Sequence, residues 1–316
     1  MMRRIALSGL ILLFGIVAWL SYNYQASNLE TAALSMAERK AAGVPGEFLQ
    51  TFDGVVHYQL DGPADAKHTS VLVHGFSVPY YLWDGTFEAL VRAGHRVLRY
   101  DLFGRGYSDR PGLEYNGELF DRQLVELLNA LRIRDRVDLI GSSMGAPIAA
   151  GFACRHKERV RSVTMIGPGY SKGGPLSWRL ALPVIGEYNF ATSILPDLPN
   201  SQMKDFKYPA KFPDWAERYK PQMKYVGFRK ALLSTLRNYA TTDWTMEYAC
   251  LGKSGLPVLL IWGKDDQDVP FQLSEQVRKD LPQAQFLPID DAAHLPFLEK
   301  PELVLPVMLE FLGTNP

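Results

Sequence analysis

Ser143 is the side chain of this sequence best placed to attack an electrophile. It lies in LIGSSMGAP, residues 139–147, where Gly141-x-Ser143-x-Gly145 follows the apolar run RVDLI and opens the helix-forming run MGAPIAAGFACRH. This pattern arises by accident in about one chain in ten of this length, so the flanking strand and helix carry the argument. A serine on a strained strand-to-helix turn exposes its hydroxyl near the positive end of a helix dipole. We predict that Ser143 is a nucleophile, whereas Ser142 points back into the fold and bonds locally.

A serine nucleophile needs a general base, and the sequence contains six histidines. His294 lies in DDAAHLPFLEKPE, a loop after the last predicted strand, from which its ring can reach the carboxyl edge of the sheet. His74 precedes Gly75 at a strand end and is the main competitor, although its position suits an oxyanion loop. We predict His294 as the base. The other histidines lie in hairpin, strand and helix-end positions: His57, His68, His95 and His156.

The base in turn needs an acid that orients its ring. The stretch LIWGKDDQDVP places three aspartates just after a strand, and Asp266 has the favoured spacing, three residues after Gly263. Asp265 and Asp268 are interpreted as solvated or as caps of the following helix. An acid after the preceding strand is the alternative, but that stretch, MIGPGYSKGG, contains no carboxylate. We predict Asp266 as the orienting acid.

Two backbone amides must stabilise the charge that develops on the substrate oxygen. Met144 directly follows the predicted nucleophile, and Phe76 follows His74-Gly75 at the end of an earlier strand. We predict that the amides of Phe76 and Met144 form the oxyanion hole.

The elements that must position these groups alternate between strand and helix. EFLQTFDGVVHYQLDG predicts a hairpin around Asp53-Gly54, and short apolar strands alternate with helices through the rest of the chain. The pattern predicts an α/β fold with a mostly parallel central sheet and helices on both faces. Residues 169–255 interrupt the alternation and are interpreted as an inserted helical lid, which divides a core of residues 47–168 and 256–316.

The N-terminus carries a separate signal. Arg3-Arg4 precede a run of 16 uncharged residues, IALSGLILLFGIVAWL, followed by Tyr22 and Tyr24. We predict a signal anchor over residues 1–26 and a membrane contact through it, with the catalytic domain extracytoplasmic by the positive-inside rule. A cleaved signal peptide, which would release the protein, is the alternative. Residues 27–46 are predicted to form a linker, helical over 27–42.

Composition excludes several classes. Lys+Arg and Asp+Glu both number 34, and no basic block occurs, which argues against a nucleic-acid partner. Two cysteines, Cys154 and Cys250, exclude a disulfide framework and leave the redox compartment open. No metal-binding or phosphate-binding motif is present, and no cofactor is predicted.

Five motifs in this order, VLVHGF, YDLFGRGYSDRP, GSSMG, WGKDDQDVP and AAHLPFLEKPE, resemble the α/β-hydrolase superfamily. The resemblance covers about residues 47–168 and 256–316, and the order Ser143, Asp266, His294 agrees with it. The HGFS loop, the lid and the predicted anchor are most similar to monoacylglycerol-lipase-like serine hydrolases. Aspartate-nucleophile dehalogenases and epoxide hydrolases differ at Ser143, and proline iminopeptidases differ in the loop after His74.

The resemblance implies a serine hydrolase that cleaves carboxylic esters through an acyl-enzyme, with lipophilic acyl esters or lipids as substrates. A hydrolase of C–C bonds in diketone-like substrates is a second possibility, although the Gly-Pro-Gly usual in its oxyanion loop is absent here. A non-catalytic receptor or scaffold with the same fold is a third.

Overall fold

The chain is organised around one eight-stranded sheet. The computed structural model describes residues 2–314, with the side chains of residues 2–9, 11 and 12 outside that description. The strands are β1 Glu47–Gln50, β2 Val55–Asp61, β3 Thr69–Val73, β4 Arg96–Tyr100, β5 Val137–Ser142, β6 Val160–Ile166, β7 Val258–Gly263 and β8 Gln285–Ile289. The helices are α1 Met2–Ala26, α2 Met36–Ala41, α3 Thr86–Arg92, α4 Gly117–Ala130, α5 Gly145–Arg155, α6 Trp178–Ala181, α7 Ile185–Asn189, α8 Leu198–Ser201, α9 Trp215–Tyr219, α10 Phe228–Asn238, α11 Thr245–Ser254, α12 Ser274–Asp280, α13 Pro296–Glu299 and α14 Pro301–Thr314.

The sheet is mostly parallel, as the sequence predicts. The strand order is β1-β2-β4-β3-β5-β6-β7-β8. β1 and β2 form the predicted hairpin, and β2 pairs antiparallel with β4, whereas every later pairing is parallel. The carboxyl ends of β3, β5, β6, β7 and β8 therefore meet at one edge, where α/β sheets bind their ligands.

Apolar side chains cover both faces of the central strands. All residues of β3, β5, β6 and β7 are buried. Val71 and Val73 belong to one core cluster, and Leu72 between them belongs to the cluster on the other face. This two-sided burial explains why these strands are continuously apolar in sequence.

The segment between β6 and β7 consists of helices and turns, and we call its residues 169–255 the lid. Its longest helix, α10, buries Phe228 and Leu232 in the core cluster that also contains Ile261. The lid therefore packs onto the sheet through shared apolar contacts. The division of the chain at residues 169 and 255 stays a prediction.

The predicted helical linker is wrong over most of its length. Only α2 is helical within residues 27–46. This helix begins at Met36 because Ser35, with an extended backbone, caps it by accepting a hydrogen bond from the amide of Glu38 at 3.1 Å. Before it, the amide of Thr31 donates to the carbonyl of Lys224 at 2.8 Å. Arg39 is buried and pairs with Asp109. The segment thus packs against both the lid and the core.

The predicted membrane anchor is not supported. Within the part of the chain that the structure describes, no helix combines the length and the apolarity needed to cross a membrane. The apolar run IALSGLILLFGIVAWL in α1 has 16 residues and is shorter than the roughly 20 apolar residues that a spanning helix requires. Met1 and several side chains of the predicted segment lie outside the described residues. The extracytoplasmic location stays a prediction.

A disulfide joins Cys154 of α5 to Cys250 of α11, across a sequence separation of 96 residues. Composition alone did not indicate this pairing. Because α5 belongs to the core and α11 to the lid, the bond ties the end of the lid to the helix that follows Ser143.

We expect the double variant Cys154→Ser/Cys250→Ser to lose about 2–5 kcal/mol of the free energy of unfolding, because the bond restricts a long loop in the unfolded chain. Urea unfolding followed by circular dichroism measures this loss. Wild-type protein in reductant is the control and should unfold at the midpoint of the variant. Free thiols in unfolded, unreduced wild-type protein would show that the bond does not form.

Candidate active site

Ser143 lies on the turn between β5 and α5 and has a left-handed backbone, with φ of 53°. A non-glycine residue in this region is strained by about 1–3 kcal/mol, so its surroundings must hold it there. The Ser143 amide donates to the carbonyl of Ile166 at 3.0 Å, and its carbonyl accepts from the amide of Gly169 at 3.0 Å. Both partners belong to β6 or follow it, so the neighbouring strand fixes the turn.

The two glycines of the motif allow the turn to lie against the end of β3. A Cβ at Gly145 would stand 2.1 Å from the carbonyl oxygen of Val73, and a Cβ at Gly141 would stand 2.4 Å from that of Gly145. No side chain fits at either position. The geometry therefore explains both glycines around Ser143.

The expectation for Ser142 is half right. Its side chain is fully buried, as predicted. Its hydroxyl, however, has no hydrogen-bond partner among the described residues, so the predicted local bond is absent. Ser142 is the last residue of β5 and lines the same cavity as Ser143.

Asp266 and His294 are hydrogen-bonded to each other. The Nδ1 of His294 lies 2.8 Å from Oδ2 of Asp266, and both side chains are buried. The other oxygen of Asp266 accepts from the amides of Asp268 and Val269 at 3.0 and 2.9 Å. Because the carboxylate accepts a hydrogen bond from Nδ1, it keeps the proton on Nδ1 and leaves Nε2 unprotonated in the neutral ring.

Gly167, the residue after β6, makes room for this pair. A Cβ there would approach Nδ1 of His294 to 3.1 Å and Oδ2 of Asp266 to 3.3 Å. The segment after β6, where an acid was considered as the alternative, therefore packs its backbone against Asp266 and His294.

Ser143 and His294 line the same cavity, of about 110 Å³. No hydrogen bond joins them among the described residues, and Nε2 of His294 is without a hydrogen-bond partner. The described lining residues of this cavity are Gly75, Phe76, Ser77, Val78, Leu82, Ser142, Ser143, Gln202, Asp205, Asp268, His294 and Leu295. The structure thus brings the three predicted side chains to one edge of the sheet, and their joint action as a triad stays a prediction.

The loop of Phe76 passes beside Ser143. A Cβ at Gly75 would stand 3.1 Å from Cβ of Ser143. His74 is buried and donates from Nδ1 to the carbonyl of Gly75 at 2.9 Å while its Nε2 accepts from the amide of Leu102 at 2.9 Å. Burial lowers the pKa of His74 to about 4, so it is neutral. The role of the Phe76 and Met144 amides in an oxyanion hole stays a prediction.

Arg105 supports the same loop, a role that the sequence did not reveal. It is buried, and its Nε donates to the carbonyl of Phe76 at 2.7 Å. Nothing local to the motif YDLFGRGYSDRP indicates a contact with a loop 29 residues earlier in the chain.

Asp265 and Asp268 do not cap the following helix. Asp265 accepts from Nζ of the lid residue Lys207 at 2.7 Å. Asp268 turns its carboxylate toward His294, with Oδ2 at 3.4 Å from Nε2. Both are solvated, as predicted, with 43% of the Asp265 side chain and 58% of the Asp268 side chain exposed. The sequence interpretation missed that Asp268 also lies beside His294 and lines the cavity.

Asp205 and Gln202 bring the lid into the cavity. The carbonyl of Asp205 accepts from the amide of His294 at 3.0 Å. Burial raises the pKa of the Asp205 carboxyl to about 7, and Asp268 and Asp266 add to this shift while His294 opposes it. No sequence pattern marks these lid residues, because their proximity to His294 arises only in three dimensions.

Glu299 connects the lid to the histidine loop. One oxygen of its carboxylate accepts from the amide of Lys207 at 2.8 Å, and the other accepts from the amide of Ala293 at 2.6 Å. Residues 205–208 of the lid are therefore connected to the loop of His294 in two ways. Asp205 bonds directly to the amide of His294, and Lys207 bonds to Glu299, which also bonds to Ala293.

The carboxylates around His294 determine its charge. Burial alone would lower its pKa, but Asp266, Asp268 and Asp205 raise it to about 10. A base with a raised pKa is stronger, and a smaller fraction of it is neutral at neutral pH.

Comparison with known proteins agrees with this architecture. A family model described as the alpha/beta hydrolase fold matches residues 71–301. Lipase 3 of Moraxella sp. (strain TA144) is 27% identical over 244 residues, or 72% of each chain. The 2-hydroxy-6-oxononadienedioate/2-hydroxy-6-oxononatrienedioate hydrolase of Paraburkholderia phymatum is 29% identical over 271 residues, or 82% of this chain and 91% of that protein.

Solved structures show the same fold. The enol-lactonase from Burkholderia xenovorans LB400 superposes with a TM-score of 0.73 at 21% identity, covering 84% of this chain and 100% of its own. An esterase from Thermogutta terrifontis superposes with a TM-score of 0.71 at 22% identity, covering 85% of this chain and 98% of its own.

We expect Asp268→Asn to lower the pKa of His294 by about 1, because the substitution removes a negative charge close to Nε2. Titration of the imidazole nitrogens by NMR measures this pKa directly. Asp290→Asn is the matched control, since Asp290 is exposed and pairs with Lys264. An unchanged pKa in Asp268→Asn would contradict the assigned contact.

Proposed function

The chain belongs to the alpha/beta hydrolase fold family, and we propose that it is a serine hydrolase that cleaves carboxylic esters. The observation that carries this proposal is the buried hydrogen bond from Nδ1 of His294 to Asp266, which leaves Nε2 facing the cavity that Ser143 lines. Relatives named lipases agree with ester hydrolysis.

The proposed reaction proceeds through an acyl-enzyme. Ser143 attacks the ester carbonyl with its hydroxyl oxygen, and neutral His294 accepts the hydroxyl proton at Nε2. Asp266 holds the proton on Nδ1 and stabilises the imidazolium that forms. The amides of Phe76 and Met144 donate to the oxyanion.

The imidazolium then gives its proton to the leaving alcohol as the tetrahedral intermediate collapses. Water, deprotonated by the same ring, attacks the acyl-enzyme, and the carboxylic acid leaves with Ser143 restored. Because the base must be neutral, the raised pKa of His294 makes activity increase as the pH rises above the usual histidine range.

We propose esters with lipophilic acyl groups as the substrates. The lid over the site and the relatives named Lipase 1 and Lipase 3 support this choice. The cavity of about 110 Å³ is small beside the roughly 300–1,000 Å³ typical of pockets that hold a drug-sized ligand. Short acyl groups fit this conformation, and long ones require the lid residues Gln202 and Asp205 to move.

Cleavage of C–C bonds is the second candidate, because two relatives are named as hydrolases of 2-hydroxy-6-oxononadienedioate, a compound that contains a ketone and no ester. The substrates in those names are dicarboxylates and are therefore anionic at neutral pH. The cavity of this chain instead presents the carboxylates of Asp205 and Asp268, which favours an uncharged ester. A receptor without activity is the third candidate, and the intact set of Ser143, Asp266 and His294 argues against it.

Ser143→Ala should lower kcat for ester hydrolysis by at least about 10³-fold, because it removes the hydroxyl that forms the acyl-enzyme. The same substitution should abolish covalent labelling by a fluorophosphonate, detected by intact-protein mass spectrometry. The matched control is Ser142→Ala, which removes a buried hydroxyl without a partner and should keep most of the activity and the labelling. Full activity in Ser143→Ala would rule out the proposed nucleophile, and an unlabelled wild-type protein would favour the receptor.

A panel of 4-nitrophenyl esters from acetate to dodecanoate, assayed beside a diketone-type dienoate, separates the two reactions. We expect the esters to be hydrolysed with a maximum among the lipophilic members and the diketone to remain uncleaved. The physical reason is the negative lining of the cavity, which opposes an anionic dienoate. Faster cleavage of the diketone than of every ester would reverse the order of the two candidates.

A further inference from the structure

Two carboxylates that the proposed reaction does not use face the cavity of Ser143. Asp268 comes from the loop after β7, and its Oδ2 lies 3.4 Å from Nε2 of His294, the atom that must receive the serine proton. Asp205 comes from the lid and lines the same cavity. They approach the base from two separate elements, so both lie beside any acyl or alcohol group bound near Ser143.

The one nearby group in the described part of the chain that can offset this charge, His294, already pairs with the buried carboxylate of Asp266. Among the described lining residues of the cavity, His294 alone can carry a positive charge. Arg105 lies behind Phe76, and its three nitrogens donate to the carbonyls of Phe76 and Phe103 and to the hydroxyl of Thr235. Lys207 of the lid is held by Asp265 and Asp291, at 2.7 and 2.8 Å.

We infer that Asp205 and Asp268 form a charge filter that admits esters uncharged around the scissile bond and excludes esters with a carboxylate there. This inference rests on the proposed ester hydrolysis and specifies its substrate class. The two residues are specificity determinants, because they act on the charge of the substrate and take no part in bond formation.

Two physical effects support the filter. Asp205 belongs to the lid, which partly encloses the cavity, and like charges repel more strongly there than in water. The Asp268 side chain is 58% exposed, so its repulsion is weaker and is more strongly screened by salt. Burial raises the pKa of Asp205 to about 7, so near neutral pH a fraction of this carboxyl is protonated and can donate a hydrogen bond to a neutral oxygen. A neutral ester group can therefore accept a hydrogen bond from protonated Asp205, whereas a substrate carboxylate is repelled by the ionised carboxylates.

The test compares two esters of equal length, methyl 4-nitrophenyl adipate and 4-nitrophenyl hydrogen adipate, with Ser143→Ala giving the background rate. At low ionic strength the wild-type enzyme should show a kcat/KM at least about tenfold lower for the anionic ester, mainly through KM. Added salt should narrow this gap by screening. A merely structural role of the two residues would not produce the salt dependence.

The double variant Asp205→Asn/Asp268→Asn should close most of the gap. The ratio of the two esters is taken on the same enzyme, so changes in the basicity of His294 cancel. Asp290→Asn, which removes an exposed surface charge, is the matched control and should leave the ratio unchanged. Equal rates for the two esters in the wild type, or an unaltered gap in the double variant, would overturn the filter.

Binding separates a failure of the filter from a failure of the reaction. If wild-type enzyme hydrolyses neither ester, the proposed function fails. Calorimetric titration of Ser143→Ala with each ester then still tests the filter, which requires weaker binding of the anionic one. Equal affinities in that titration would overturn the filter independently of turnover.

Discussion

The candidate site depends on backbone segments that pass each other with no room for a side chain. At the end of β5, a Cβ on Gly145 would stand 2.1 Å from the carbonyl of Val73. At the end of β7, a Cβ on Gly263 would stand 2.0 Å from the carbonyl of Ala293. The first contact sets the serine turn against β3, and the second sets the loop of His294 against β7. Because backbone packing fixes both, the sheet itself holds the two reactive side chains at one edge.

The same edge concentrates negative charge around one imidazole. Asp266 is buried and needs His294 as its partner, since an unpaired buried carboxylate is costly. Asp268 and Asp205 are additional, and they raise the pKa of His294 as Asp266 does. The raised pKa of His294 and the proposed exclusion of anionic esters therefore have one physical origin. The carboxylates make the imidazole of His294 a stronger base, but they also decrease the fraction of it that is neutral at neutral pH.

Patterns of neighbouring residues in the sequence predicted the strands, the helices and the turn at Ser143. The alternation of apolar strands with helices gave the mostly parallel sheet, and the spacing of glycines around Ser143 indicated the turn. The pairing of Asp266 with His294 was predicted from chain order and motif, and the hydrogen bond between them is present. Asp205 was missed because its position depends on how the lid folds back. Asp268 is solvated, as predicted, but its proximity to His294 was missed because its orientation is set by the turn around Asp266.

Hydrogen bonds of Glu299 connect the lid to the loop of His294, the proposed base. Its carboxylate accepts from Lys207 of the lid and from Ala293, next to His294, while the His294 amide donates to Asp205. A lid movement that carries residues 205–208 away from the cavity breaks these bonds and removes the Asp205 carboxylate from the imidazole. Widening the cavity therefore lowers the negative charge around His294 in the same step. Admission of a bulky ester and the proton affinity of the base are, in this structure, two consequences of one displacement.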